Sequence, residues 1–129
     1  ECYSETIEDR NKLHRQILNT KNCCGLAFNQ IGGNKRLYAI KNPTIKIYVN
    51  PTIVELSKDT YETFEGCMSF PKHSNSKVLR NKSITIKHLN SDGVYITETF
   101  DGVLAQIHQH ELDHLDGIDI HHKKIKENK

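Results

Sequence analysis

Between Ser83 and Phe100 the chain reads SITIKHLNSDGVYITETF, and its bulky positions recur at every second residue. Ile84, Ile86 and His88 share one side, Asp92-Gly93 supplies a tight turn, and Val94 and Ile96 resume the alternation. The pattern predicts a β-hairpin, because Asp-Gly accepts the positive φ that such turns demand. Upstream, β-branched residues alternate with polar ones around Leu37–Ile40, Ile45–Asn50 and Ile53–Leu56, which predicts short strands. Two Asn-Pro steps, Asn42-Pro43 and Asn50-Pro51, are each expected to bound a strand, since the residue before a proline is restricted. Elsewhere the period is helical. From Glu5 to Thr20, Ile7, His14, Ile17 and Leu18 predict an amphipathic helix packed on a core. From Gly102, Val103, Ile107, His110 and His114 fall at i, i+4, i+7 and i+11, predicting a helix whose inward stripe holds both histidines and which stops at Gly117. Together these elements predict an α+β fold, a mainly antiparallel sheet packed around a helix in the C-terminal half.

Composition narrows the class. The 129 residues are expected to form one domain, 1–129, and 26% charged against 36% hydrophobic residues predicts a soluble globular chain. A net charge of +2 provides no broad basic field, so direct nucleic-acid readout is not expected. The Lys-rich run from His121 to Lys129 reads as a solvated tail, the alternative being an anchor for an acidic partner such as ribosomal RNA. No apolar run approaches the ~20 residues needed to cross a bilayer, and no signal-peptide pattern opens the chain. Cys2, Cys23, Cys24 and Cys67 contain no CxxC pair, and adjacent cysteines make a poor disulfide, so a reducing compartment is expected. Cys67 is then available as a thiolate.

The chemistry concentrates in QHELDHLDG, Gln109 to Gly117, where His110 and His114 with Glu111 form an HExxH pattern. Residues four apart on a helix lie one above the other, so both imidazoles can face a single metal ion. Glu111 sits about 100° round from His110, beside the ion, where it can take a proton from water and pass it to a leaving nitrogen. Asp113 is expected at the surface.

A catalytic metal site of this kind needs a third protein ligand. One class of peptidases places a histidine three residues beyond the glycine, but Ile120 stands there and His121 is one residue late. Another uses a later glutamate, and only Glu127 remains. Upstream, FEGCMSFP puts Cys67 43 positions ahead of His110, completing a Cys-His-His set with a fourth position open. A third segment, CCGLAFNQIG from Cys23 to Gly32, offers glycine for close backbone approach and Gln30 as a donor to an oxyanion.

GLAFNQIG, EGCMS and QHELDHLDG, in this order and at these separations, resemble the three signature motifs of peptide deformylases, and the match runs from Cys23 to Gly117. The resemblance implies removal of the N-formyl group from nascent peptides that begin with formyl-methionine, with release of formate. It implies that Cys67, His110 and His114 hold the metal and that Glu111 is the general acid/base. It further implies that Gln30 and the Met68 backbone N–H bind the oxyanion. Gly25 and Gly66 would let the substrate lie alongside as an added strand, and Cys24 and Ile107 would line the pocket for its first side chain. Fe²⁺ is the metal the family favours for activity, with Zn²⁺ or Ni²⁺ as alternatives. A general HExxH metallopeptidase and a catalytically silent peptide- or metal-binding member remain the rival readings.

Several positions depart from the family pattern. Cys23 replaces the leading glycine of the first motif, and Phe28 replaces an alanine and reads as a core anchor facing away from the site. Met68 replaces leucine, a volume-conserving change. His108 stands where an apolar residue is usual and is expected beside the metal ligands or at the rim, not as a fourth ligand. A Glu65–Arg80 pair is expected to fix the Cys67 loop against the sheet. The chain ends 12 residues after Gly117, short for the family. A short organellar or virus-encoded form is therefore expected as an alternative to a bacterial one, acting in the cytoplasm or an organelle. It would be a monomer, with ribosome docking disfavoured by the short C-terminus.

Overall fold

The structure is a computed structural model that describes residues 7–20, 24–33, 35–42, 44–65 and 76–118. In chain order the elements are α1 (Ile7–Leu18), β1 (Gly25–Ala27), a 3-10 turn (Phe28–Ile31), β2 (Leu37–Lys41), β3 (Ile45–Leu56), β4 (Thr60–Glu65), β5 (Ser76–Asn81), β6 (Ser83–Leu89), β7 (Tyr95–Asp101) and α2 (Gly102–Leu115). Among the described residues, five strands form an antiparallel sheet in the order β1-β2-β3-β6-β7, and β4 and β5 form a separate antiparallel hairpin. This is the expected α+β architecture.

The sheet is covered on both faces, which explains why β2 reads as the nearly unbroken apolar run Leu-Tyr-Ala-Ile. Side chains alternate between faces along a strand. Leu26, Phe28, Leu37, Ala39 and Val49 therefore bury against Leu13 and Ile17 of α1. Their neighbours Ala27, Tyr38, Ile40 and Tyr48 join Ile84, Ile86, Ala105 and Leu112 on the α2 side.

The expected hairpin is present as β6–β7, with Ile84, Ile86 and His88 buried and Gly93 at φ +79°. Its turn is pinned by the Asn90 side chain, whose Oδ1 accepts the N–H groups of Asp92 and Val94. Val94 itself is exposed.

Other expectations need correction. Asn50-Pro51 does not end a strand: β3 continues through it, with Asn50 at φ +51° and a register shift against β6 between Val49 and Thr52. Proline is tolerated at such a bulge because no ladder donor is required of it there. Pro43 lies outside the described residues. In α1, His14 and Leu18 are exposed, and the buried stripe is Leu13 and Ile17, a single i, i+4 pair that suffices where a short helix lies flat on a sheet.

A buried aromatic and imidazole cluster fills the α2 side. Tyr38 stacks on Tyr48 with ring centres 5.4 Å apart, and Tyr48 meets His88, Phe100 and His108 edge-on. Burial, with the nearby Glu98 carboxylate, pushes the Tyr48 phenol up to about 12. The unfolded phenol ionises near 10, so stability falls as pH rises from about 10 towards 12. Tyr48→Phe should flatten this alkaline decline in urea midpoints taken between pH 9 and 12. Tyr38, also raised by burial, leaves part of the slope in place. An unchanged slope in Tyr48→Phe would refute the assignment.

Candidate active site

Helix α2 is seated by polar contacts at both ends and along its flank. Gly102, at φ +63°, turns β7 into it. At its C-terminus Gly117, at φ +79°, is followed by an Ile118 N–H bond to the Asp113 carbonyl, while Gly117 N–H bonds the His114 carbonyl. This is a Schellman stop that only glycine adopts without strain. The Gln109 side chain behaves like a strand partner to β5, its Oε1 accepting Asn81 N–H at 2.9 Å and its Nε2 donating to Asn81 O at 2.8 Å. Arg80 of β5, 3% exposed, bonds Asp113 at 2.7 Å. Asp113 is thus an inward anchor, contrary to the surface position expected for it. The side chain of Glu65, expected as the partner of Arg80, lies outside the described residues.

These contacts turn the HExxH residues towards β1. Nε2 atoms of His110 and His114 stand 3.0 Å apart. Glu111 is 3% exposed, and its carboxylate lies over Gly25: a Cβ at Gly25 would stand 2.6 Å from Glu111 Oε2 and 2.9 Å from Cγ. Gly25 is therefore glycine because the general-base candidate occupies the space of its side chain. Gly25→Ala should displace Glu111 and lower catalytic turnover by about 10–100-fold, the cost of a misplacement near 1 Å. Steady-state kinetics on metal-loaded protein would check this, and turnover within threefold of wild type would count against it.

Gln30 lies on the 3-10 turn next to this group. Its Oε1 accepts the Ala27 N–H at 2.8 Å, which fixes the amide's orientation and leaves Nε2 as the end that can donate to a substrate. The adjacent Asn29 donates from Nδ2 to the His114 carbonyl at 2.6 Å, tying the turn to the last turn of α2. Cys24 is exposed at the head of β1, and Ile107 packs at the margin of the α2-side core. Phe28 is 3% exposed in the α1-side core, as an anchor facing away from the site should be.

Two expectations about α2 change. Val103 is 68% exposed, and the deepest positions are Ala105, His108, Glu111 and Leu112. The helix rests on the sheet through those residues; on the neighbouring stripe His114 is still buried, while Ile107 and His110 are partly exposed, where a site can open. His108 belongs to the core and not to a rim: it is fully buried, stacked on Phe100 at 3.9 Å, with Nδ1 2.6 Å from the Tyr38 hydroxyl. Burial, helped by His88, pushes its pKa down to about 3, so it is neutral. Helical periodicity could not have shown this, because a histidine in an apolar slot breaks the pattern instead of extending it. Tyr38, Asn29 and Gln109 were given no role by sequence pattern, since their partners lie 70, 85 and 28 residues away.

Cys67, Gly66 and Met68 lie outside the described residues. The segment that contains them joins β4 to β5, and β5 is docked on α2 through Arg80 and Gln109. The two histidines pass a simple fit test for a metal. Nitrogens bound tetrahedrally at ~2.0–2.1 Å lie about 3.3 Å apart, close to the 3.0 Å found.

Paired histidines one turn apart, flanking a buried carboxylate on a helix laid across an antiparallel sheet, define the class, an α+β HExxH domain. A family model described as polypeptide deformylase matches residues 4–129, and the chain belongs to that family, whose members depend on a metal ion. It is 43% identical over 96 residues to the peptide deformylase of Fusobacterium nucleatum, covering 73% of this chain and 55% of that protein. It is 34% identical over 124 residues to peptide deformylase 2 of Clostridium perfringens, covering 89% and 79%. The chain thus spans little more than half the length of the Fusobacterium relative. Among solved structures it is similar to the class I type b peptide deformylase of Acinetobacter baumannii bound to Met-Ala-Ser, with TM-score 0.81 and 30% identity over 90% of this chain and 79% of that one. It is also similar to a probable peptide deformylase of Synechococcus phage S-SSM7, with TM-score 0.81 and 33% identity over 94% and 88%. No helix among the described residues is long and apolar enough to cross a membrane.

Proposed function

We propose that the protein removes the N-formyl group from formyl-methionyl nascent peptides and releases formate. The observation that carries this reading is the convergence of His110 and His114 Nε2, 3.0 Å apart, beside a Glu111 carboxylate lodged against Gly25. Cys67 is the proposed third ligand with His110 and His114, which gives a catalytic set of three protein donors. When bound, the ion supplies Lewis acidity and makes water acidic enough to ionise near neutral pH. Fe²⁺ is the proposed native metal, with Zn²⁺ or Ni²⁺ as substitutes, because a mixed thiolate and imidazole set accepts all three.

The chain's own residues then divide the work. Glu111 takes a proton from the attacking water and delivers it to the departing amine. Gln30 Nε2 and the Met68 N–H donate to the oxyanion as the carbonyl carbon becomes tetrahedral. Substrate adds as an extended strand beside Gly25 and Gly66, with its first side chain between Cys24 and Ile107. Met-Ala-Ser, the peptide in the Acinetobacter enzyme, is what formyl-Met-Ala-Ser becomes on losing formate, which supports a peptide of this kind as substrate. Action as a monomer in the cytoplasm completes the proposal.

The test is formate release from formyl-Met-Ala-Ser by Fe²⁺-loaded protein, beside Cys67→Ala and Glu111→Ala. Formate release lost in both variants, with bound metal lost only in Cys67→Ala, is the expected result. Cleavage of internal peptide bonds would instead reveal a peptidase, and peptide binding without turnover a silent member.

A further inference from the structure

Phe28 opens the 3-10 turn that carries Gln30, and its ring is held in the α1-side core among Leu13, Ile17, Leu26, Leu37, Ala39 and Val49. The backbone of Gly33 crosses that ring so closely that a Cβ there would stand 2.2 Å from Cδ2, 2.3 Å from Cε2 and 2.5 Å from Cγ. The same two residues are joined by a hydrogen bond from Gly33 N–H to the Phe28 carbonyl at 2.9 Å. Contact and hydrogen bond together close the turn around Asn29 and Gln30. Gly32 needs glycine for its φ of +88°, whereas Gly33 is not in the left-handed region. What demands glycine at position 33 is therefore the ring beneath it.

We infer that the Phe28–Gly33 contact is a positioning device for Gln30, holding the turn so that Gln30 Oε1 stays on the Ala27 N–H and Nε2 stays available to substrate. The ring is enclosed in a close-packed core and cannot retreat. A side chain at position 33 must then move the loop backbone, open the Gly33–Phe28 hydrogen bond and release Gln30. The inference rests on the oxyanion role proposed above for Gln30.

The test combines hydrogen exchange of the Ala27 amide with steady-state kinetics on formyl-Met-Ala-Ser. Gly33→Ala should lower Ala27 protection and kcat each at least tenfold, with KM within threefold of wild type. Phe28→Leu, which takes atoms from under Gly33 without adding any, should lower both by a smaller factor. Phe28→Leu combined with Gly33→Ala should return both to within threefold of Phe28→Leu, because the smaller side chain leaves room. In a Gln30→Ala background, Gly33→Ala should change kcat less than twofold. Unchanged Ala27 protection in Gly33→Ala, or an undiminished kcat loss in the Gln30→Ala background, overturns the inference. Full kcat in Gln30→Ala alone overturns the oxyanion reading instead, and Ala27 protection in Gly33→Ala still decides whether the contact orients Gln30.

Discussion

Glu111→Gln is expected to lower kcat/KM on formyl-Met-Ala-Ser by about 10²–10⁴-fold, the range supplied by a positioned general acid/base. Glutamine keeps the size and shape of the side chain, so packing against Gly25 should survive. What it loses is a basic oxygen. A carboxylate accepts a proton and returns it, whereas an amide does neither at neutral pH. The expectation is therefore a loss in kcat with KM nearly unchanged, in protein that binds as much metal as wild type. The site is built for such a role: the carboxylate is 3% exposed, one residue from His110, and backed by a strand that has no side chain in the way. Metal analysis and kinetics on the same sample check it. Activity within threefold of wild type, at full metal content, would remove Glu111 from the mechanism.

The second large effect is on stability. Arg80→Ala removes a charged partner of Asp113, a carboxylate only 17% exposed, and breaking a buried pair by deleting one member typically costs about 3–5 kcal/mol. The lower end, about 3 kcal/mol, is expected here because Asp113 retains some water. Asp113→Asn should cost less, since the amide still accepts from Arg80. Adding Arg80→Ala to Asp113→Asn should cost less than Arg80→Ala alone, the difference being the coupling between the two groups. The functional consequence follows from geometry. Asp113 lies between His110 and His114 in sequence, so the pair holds α2 to the hairpin whose connection carries Cys67. Metal affinity should therefore fall along with stability. Urea titrations of the three variants and metal competition at fixed pH measure both, and a loss below 1 kcal/mol for Arg80→Ala would reduce the pair to a surface contact.

The chain's local signals were strong where one physical cause dominates. Alternation with Asp92-Gly93 made the β6–β7 hairpin legible, because side-chain direction and turn dihedrals are decided within a few residues. Gly117 marked the end of α2 for the same reason, and HExxH spacing alone put His110 and His114 on one stripe. Where two causes compete, the pattern misled. Asn50-Pro51 carries a strong break signal, yet the sheet on either side absorbs it as a bulge. His108 reads as polar and therefore peripheral, yet a tyrosine hydroxyl and a phenyl ring make its burial acceptable.

By itself, then, the sequence determined the two helices, the strands β2 and β3 and the β6–β7 hairpin, because periodicity and turn chemistry are properties of short segments. Only the tertiary structure decided which face of α2 is core and which is site, that Asp113 anchors β5, and that Gln30 presents its amide nitrogen. It also decided that Glu111 rests where Gly25 has no side chain. Apart from the Gln30 amide, which is held by Ala27 within the same turn, each of these depends on a partner brought close by the packing of the whole sheet, and no local pattern records so distant a partner.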